Sequence, residues 1–394
     1  MFLSIALILL VGMTMGWICK KIKLPALIGM LATGIILGPY VLDLLDPKIL
    51  DISEELRKIA LVIILTRAGL GLDVKGLKKI GRPAILMCFV PASFELAGML
   101  LLAPRILGVT YMEAAIMGAV LAAVSPAVVV PRMVKLTEEG YGMDKAIPQL
   151  ILAGASVDDV YVIVLFTTFT GLATGGSVSA IKFINIPVSI ILGIAVGVGV
   201  GLLLNLFYTK CHMRDTVKVI IFLSISLLLV AAENAIPIEI TFASLISIMC
   251  VGIALKQKNE PLAKRLSAKY NKLWVGAEVL LFVLVGATVD IGYVKQAGVG
   301  VILMIFAALA FRMLGVFVSL IGTKLNVKEK LFTMMAYTPK ATVQAAIGGV
   351  ALEMGLACGN MVLTLAVLAI IITAPLGAFA IDISYKKLLK KSEQ

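Results

Sequence analysis

The chain has 394 residues, of which 61% are hydrophobic and 15% are charged, and its mean hydropathy is +1.08. A soluble globular domain carries about 25% charged residues, so this chain has too little polar surface to cover a core in water. The formal net charge of +12 does not indicate a nucleic-acid partner, because no segment interleaves basic and aromatic residues. The composition therefore predicts an all-α polytopic membrane protein rather than a soluble enzyme.

Apolar runs separated by charged or Gly/Pro turns predict thirteen transmembrane helices. Each run is close to the ~20 residues that a helix needs to cross a bilayer. Their approximate bounds are 2–19, 24–41, 56–74, 83–103, 112–133, 147–171, 185–208, 216–232, 237–255, 273–290, 296–321, 331–352 and 359–385. They form a single transmembrane domain, 1–394.

Basic residues are distributed unequally between the two sides of these predicted helices. With the N-terminus external, the cytoplasmic segments contain 26 of the 35 lysines and arginines, whereas the external segments contain 6. Cytoplasmic loops are enriched in lysine and arginine. The distribution therefore predicts a multi-pass protein of the plasma or inner membrane, with an external N-terminus and a cytoplasmic segment at 386–391.

Several ionisable residues lie inside the apolar runs, where a charge costs at least ~2.5 kcal/mol on insertion scales. They are Arg67, Glu95, Asp158, Asp159, Glu278, Arg312 and Lys340. Arg67 lies toward the cytoplasmic half of its run and can extend its side chain to the interface. Glu278 is also shallow and can face a cytoplasmic vestibule. The other five are deeper, so they are predicted to pair or to take part in function.

Asp158 and Asp159 are adjacent near the middle of the sixth predicted helix. Neighbouring residues on a helix point about 100° apart, so one carboxylate can face a cavity while the other contacts a neighbouring helix. Two close carboxylates do not both ionise readily in a medium of low dielectric constant. Such a pair can hold a proton or exchange it for a small cation, which is the chemistry of a cation/proton antiporter.

Proline interrupts two predicted helices at matching depth, at Ser125-Pro126 in the fifth and at Thr338-Pro339 in the twelfth. Proline removes a backbone donor and frees a carbonyl, which must find a partner inside the membrane. The two helices are seven apart in order, so they have opposite orientations. This predicts inverted six-helix repeats with two broken crossing helices, an arrangement that marks the binding site of a transporter.

Three further charges are predicted to support this crossing. Lys340 follows Pro339 and can neutralise the negative end of a half-helix. Glu95 and Arg312 occupy equivalent places in the two halves and are predicted to form a structural ion pair. A regulatory alternative remains open, in which Arg312 competes for Asp158.

Four segments carry a resemblance to a known family. They are RAGLGLD at 67–73, VSPAVVVP at 124–131, SVDD at 156–159 and PKATVQAAIG at 339–348. With the order of the helices, they make the chain resemble the monovalent cation/proton antiporter superfamily, which has the Nha-type fold. It is most similar to the branch of sodium/hydrogen exchanger-like B proteins and their prokaryotic relatives.

The resemblance implies an elevator-like mechanism, in which a six-helix core moves against a scaffold that forms a homodimer. The core corresponds to about 83–171 and 296–385. Asp159 is implied to be the main ion and proton carrier, supported by Asp158 and by Ser125 at the crossing. Residues expected to support the crossing helices are Pro126, Pro339, Lys340 and Thr342. Better-known electrogenic members carry lysine where this chain has Arg312, and arginine does not release a proton at physiological pH.

The predicted function is sodium (or lithium)/proton antiport for pH homeostasis, with no cofactor, and with Asp159 and Asp158 holding the transported cation. A potassium/proton antiporter or potassium efflux protein of the same superfamily is the alternative, although such proteins usually add a soluble nucleotide-binding domain. A different class, an intramembrane aspartyl protease, also needs two buried aspartates. Its aspartates come from two facing helices, whereas these are adjacent in one. A solute symporter ranks below these, because the crossing has few aromatic or hydrogen-bonding residues.

Overall fold

The computed structural model describes residues 1–72, 81–174, 180–235 and 242–392. Within these ranges the chain is helical, and its β-type pairing is limited to an isolated bridge between Tyr141 and Lys391. Nine helical stretches of the described residues are long and apolar enough to cross a bilayer. The prediction of an all-helical, multi-pass membrane protein is therefore confirmed.

The helices are numbered here in chain order. Those of the first half are α1 (Phe2–Lys21), α2 (Ala26–Leu37), α3 (Pro47–Asp51), α4 (Ser53–Gly71), α5 (Arg82–Met87), α6 (Val90–Ile106), α7 (Tyr111–Leu121), α8 (Pro126–Glu139) and α9 (Ile147–Thr174). Those of the second half are α10 (Ala180–Lys210), α11 (Asp215–Ala235), α12 (Ser244–Lys258), α13 (Glu260–Ala287), α14 (Ile291–Ser319), α15 (Val327–Ala336), α16 (Thr342–Ile347), α17 (Val350–Glu353) and α18 (Gly359–Leu388).

Helix α13 begins much earlier than the apolar run at 273–290 suggests. The gap between the apolar runs at 237–255 and 273–290 predicts a loop, but the chain is helical from Glu260. Its apolar side chains Leu262, Leu266 and Tyr270 recur every fourth residue and are buried. Because these positions share one face of a helix, the segment is an amphipathic helix whose lysines lie on the exposed face.

Some predicted features lie outside the described residues. They are Asp73 of the 67–73 segment, the basic residues Lys75, Lys78 and Lys79, and the start of the predicted helix at 237–255.

The chain divides into two compact units, and the first contains Met1–Asp51, Lys75–Thr174 and Phe282–Gln394. In this unit α6 packs closely along α14. The backbone at Gly98 lies against the Phe311 side chain, and Gly315 lies against Pro91, with no room for a Cβ at either glycine. Gly98 and Gly315 each lie three residues after a buried charge, so this close packing brings the Glu95 and Arg312 faces of the two helices together.

The second unit contains Ile52–Val74 and Gly175–Leu281. In it α12 packs against α10 and α4 through glycines, because Gly197 lies against the Ser247 carbonyl and Gly69 against the Met249 carbonyl. The intramembrane charges Arg67 and Glu278 belong to this unit and interact electrostatically with each other.

Candidate ion-binding site

The first break in a crossing helix lies between α7 and α8. Helix α7 ends at Leu121, and the backbone of Ser125 is extended before α8 begins at Pro126. Proline suits the first helical position because its missing N–H has no intrahelical acceptor there, and it disfavours helical geometry in the preceding residue. The break leaves the last carbonyls of α7 without their helical donors.

The second break lies between α15 and α16. Helix α15 ends at Ala336, and helical structure resumes at Thr342, after Pro339. The N–H of Ser125 donates to the carbonyl of Pro339 at 2.7 Å. The two breaks therefore contact each other through the backbone, as a pair of broken crossing helices requires.

The two aspartates of α9 have different surroundings. Asp158 is fully buried, and its Oδ2 accepts from the Val124 N–H at 2.9 Å and from Arg312 Nη2 at 2.6 Å. Asp159 is 7% exposed, and its buried Oδ1 has no hydrogen-bond partner in the described part of the chain. Asp158 is thus held through Oδ2 by a backbone donor and a cation, although its Oδ1, like that of Asp159, has no partner among the described residues.

Arg312 lies at the centre of a buried charge cluster. Its Nη1 is 2.9 Å from Glu95 Oε2, its Nη2 binds Asp158, and its Nε donates to the Tyr337 carbonyl at 2.7 Å. Nη1 also donates to the Ala122 carbonyl, a carbonyl freed by the first break. The guanidinium therefore makes both contacts considered from the sequence, the one with Glu95 and the one with Asp158, at the same time.

Lys340 adds a second cation to this cluster. Its Nζ is 2.6 Å from Glu95 Oε2, and its backbone N–H donates to Thr373 Oγ1 at 2.9 Å. The sequence suggested that this ammonium neutralises the end of a half-helix. The Glu95 carboxylate is the close counter-charge that a buried ammonium requires, and the role of Lys340 at the half-helix end stays a prediction.

The cluster contains three carboxylates and two cations. With every group ionised, the cluster has one excess negative charge, because three carboxylates (Glu95, Asp158 and Asp159) face two cations (Arg312 and Lys340). An uncompensated buried charge is expensive in a low-dielectric interior. One proton or one monovalent cation would complete the neutralisation.

Several buried oxygens at the crossing are available to a cation. Asp158 Oδ1, Asp159 Oδ1, Ser125 Oγ and Thr342 Oγ1 have no hydrogen-bond partner among the described residues. Small hard cations prefer oxygen ligands. Within the same residues, no three His, Cys, Asp or Glu side chains form a candidate metal cluster. A transported cation would therefore add hydroxyl, carbonyl or water oxygens to the aspartates.

Sequence reasoning missed two residues at the crossing. Gln344 is fully buried and donates from Nε2 to backbone carbonyls of the first break. Tyr337 is fully buried, and Arg312 lies 5.4 Å from its ring centroid. Gln344 lies within the 339–348 segment and is a polar residue in an apolar run, which could have revealed it. Tyr337 immediately precedes Thr338-Pro339, but tyrosine in an apolar run gives no comparable signal.

Gly154 is a close-contact position between α9 and the second break. A Cβ at this glycine would lie 1.9 Å from the Tyr337 hydroxyl oxygen. We therefore expect Gly154→Ala to lower the free energy of unfolding by about 1–3 kcal/mol through overpacking. Thermal unfolding in detergent measures the loss, and Tyr337→Phe in the same chain should recover part of it.

Gly171→Ala is the matched control in α9, since nothing lies within 4 Å of its Cβ position. Equal losses for the two alanine variants would contradict the proposed clash.

Two helices broken at a common contact, with a buried charge cluster beside them, define a multi-pass ion transporter. A family model described as "Sodium/hydrogen exchanger, transmembrane" matches residues 5–384, and the chain belongs to this family. Its members are transporters rather than enzymes, so the aspartyl protease alternative is excluded. The resemblance to the monovalent cation/proton antiporter superfamily is confirmed.

Individual relatives agree with this assignment. Sodium/hydrogen exchanger 9B2 of Homo sapiens is 34% identical over 384 residues, which cover 94% of this chain and 71% of that protein. Sodium/hydrogen exchanger 9B1 of Homo sapiens is 32% identical over 388 residues, which cover 93% of this chain and 73% of that protein. The solved structure of the sodium proton antiporter MjNhaP1 from Methanocaldococcus jannaschii at pH 8 superposes with a TM-score of 0.84. The two sequences are 21% identical, and the superposition covers 98% of this chain and 97% of the MjNhaP1 chain. This chain therefore has the NhaP antiporter fold.

Proposed function

We propose that this protein is a secondary active sodium (or lithium)/proton antiporter in which Asp159, assisted by Asp158, exchanges a proton for the cation. The observation that carries the proposal is the difference between the two carboxylates. Asp158 is bound by Arg312 and the Val124 N–H, while Asp159 Oδ1 is buried without a partner in the described chain. A carboxylate without fixed partners is available to bind a proton and a cation in turn. The names of the relatives support sodium as the cation.

The charge balance of the buried cluster supports competition between a proton and a cation for one site. Because the cluster of three carboxylates and two cations lacks one positive charge, a proton and a monovalent cation neutralise it equally well. Binding both would leave an excess positive charge in the membrane interior, which is costly. The two ligands therefore exclude each other, and their exchange is the elementary step of antiport.

We propose that Ser125 and Thr342 line the ion site, and that Pro126, Pro339 and Lys340 maintain the crossing. The hydrogen bond from the Ser125 N–H to the Pro339 carbonyl and the contact of Lys340 with Glu95 support these assignments. We further propose thirteen membrane-spanning helices in two inverted six-helix repeats. Helices are described in each of the thirteen predicted intervals, which supports this count.

The topology that follows has an external N-terminus and a cytoplasmic end after α18. Cys211 tests it, because this exposed cysteine lies in a predicted cytoplasmic loop while Cys19, Cys88, Cys250 and Cys358 are buried. We expect a membrane-impermeant maleimide to label Cys211 in inverted vesicles and not in intact cells.

The control for this labelling is Lys48→Cys in a Cys211→Ser background, which should be labelled in intact cells. Labelling of both positions from one side would overturn the thirteen-helix topology.

Alternating access in this proposal is elevator-like. Residues 83–171 and 296–385 form the moving core, and the remaining helices form a scaffold that makes a homodimer in the plasma or inner membrane. Both parts of the proposed core lie within the first compact unit, which also contains residues 1–51 of the proposed scaffold. The first unit contains the whole charge cluster, so the site can move as one piece.

Transport by purified protein in liposomes tests the proposed function. A pH dye enclosed in the liposomes reports proton movement when sodium, lithium or potassium is added outside in turn. We expect sodium or lithium to drive proton movement and potassium to drive much less. Movement driven by potassium alone would favour the potassium/proton antiporter, and no movement with any of the three would overturn antiport.

A further inference from the structure

Three consecutive carbonyls at the end of α7, those of Val120, Leu121 and Ala122, are separated from their ordinary helical donors. The Val124 N–H, which would bond to Val120 O in a continuous helix, donates to Asp158 instead. The Ser125 N–H, which would bond to Leu121 O, donates to Pro339. Residue 126 is a proline and has no N–H to offer to the Ala122 carbonyl.

Gln344 and Arg312 supply the missing donors. Gln344 Nε2 lies 3.0 Å from Val120 O, 3.2 Å from Leu121 O and 3.0 Å from Ala123 O. Arg312 Nη1 donates to the Ala122 carbonyl. The Gln344 side chain is fully buried.

We infer that Gln344 is a positioning residue that keeps the first crossing helix broken and thereby holds the ion site open. The Val120 and Leu121 carbonyls would otherwise attract the N–H groups of Val124 and Ser125 and extend α7 by a turn. That rearrangement would remove the backbone donor from Asp158 and move the Ser125 hydroxyl away from the crossing. Gln344 therefore acts on cation binding through the backbone carbonyls that its amide binds.

This inference rests on the proposed function, because it concerns the same ion site. Gln344→Met tests it, since methionine keeps the length of the side chain and removes both amide donors. We expect the sodium concentration for half-maximal exchange to rise about tenfold, the order expected when a carboxylate loses one hydrogen bond. The maximal rate should change by less than about threefold, because the titrating carboxylates remain.

Two further variants separate this role from packing. Gln344→Asn keeps the amide on a shorter side chain and should fall between Gln344→Met and the unaltered protein. Gln149→Met is the matched control, because Gln149 lies in α9 and its amide contacts Met143 Sδ instead of the crossing. It should leave the half-maximal sodium concentration unchanged.

A second readout does not require transport. Sodium should raise the melting temperature of the unaltered protein in detergent, and Gln344→Met should need about tenfold more sodium for the same rise. A normal sodium response in Gln344→Met, or a lower rate with unchanged half-maximal sodium, would overturn the positioning role alone. Absence of both transport and stabilisation in the unaltered protein would overturn the proposed function and this inference with it.

Discussion

Asp159→Asn should abolish cation-driven proton movement while leaving the protein folded and inserted. Asparagine fills nearly the same volume but cannot titrate, so it removes the carrier of the proton and retains the packing of α9. Because Asp159 Oδ1 has no partner among the described residues, the substitution breaks no hydrogen bond at that atom. We expect transport in proteoliposomes to fall at least about 100-fold, to the level of empty liposomes.

The matched control is Asp382→Asn, which makes the same chemical change on α18. Asp382 is 43% exposed and pairs with Arg132 away from the crossing. Its replacement should leave transport within about twofold of normal, as expected for an exposed ion pair. Near-normal exchange by a correctly folded Asp159→Asn protein would show that another group carries the proton.

Compared with Asp159→Asn, the Asp158→Asn substitution should reduce transport less and lower the stability of the protein more. Asp158 holds Arg312 and the Val124 N–H, so its substitution disturbs the crossing itself. The different outcomes of the two asparagine variants would reflect the different surroundings of two adjacent carboxylates.

Arg312→Gln should produce the largest loss of stability. The guanidinium is fully buried and contacts Glu95, Asp158 and two backbone carbonyls, so its removal leaves the buried Asp158 carboxylate without its cation. Removing one partner of a buried ion pair costs about 3–5 kcal/mol. Thermal unfolding in detergent measures the loss, and Arg132→Gln is the control for a more exposed arginine.

Double variants show which carboxylate depends most on Arg312. Glu95 retains Lys340 as a counter-charge, whereas the side-chain cation contact of Asp158 is with Arg312. Adding Asp158→Asn to Arg312→Gln should therefore recover more stability than adding Glu95→Gln, which also isolates Lys340. Strictly additive losses for Asp158 and Arg312 would mean that the two charges do not stabilise each other.

The membrane-protein class and the two helix breaks could be predicted from the sequence because both depend on local patterns. Apolar runs near 20 residues require helices in a bilayer. Proline at 126 and 339 predicts breaks, since the missing N–H has the same effect in any fold. A buried acid such as Asp159 stands out because its cost in an apolar run is large.

Contacts between distant segments could not be derived in this way. The contact of Lys340 with Glu95 joins residues far apart in sequence. Nothing in either segment indicates that Lys340 and Arg312 both bind Oε2 of Glu95. The helical segment after Glu260 was read as a loop because its charges mask the buried face of an amphipathic helix. Gln344 stands out as a polar residue in an apolar run, but the carbonyls that it binds are present at every residue, so the sequence does not show which ones they are.

The proposed displacement of a proton from Asp159 by a cation can be measured directly as the number of protons that the protein releases. Sodium added to the purified protein in weakly buffered detergent solution should acidify the medium by about one proton per protein, because a carboxyl ligand must lose its proton to bind a cation. The Asp159→Asn protein should release none, and the Asp382→Asn protein should release as much as the unaltered one. Undiminished proton release from Asp159→Asn would contradict the account, as would the absence of release from an unaltered protein that transports sodium.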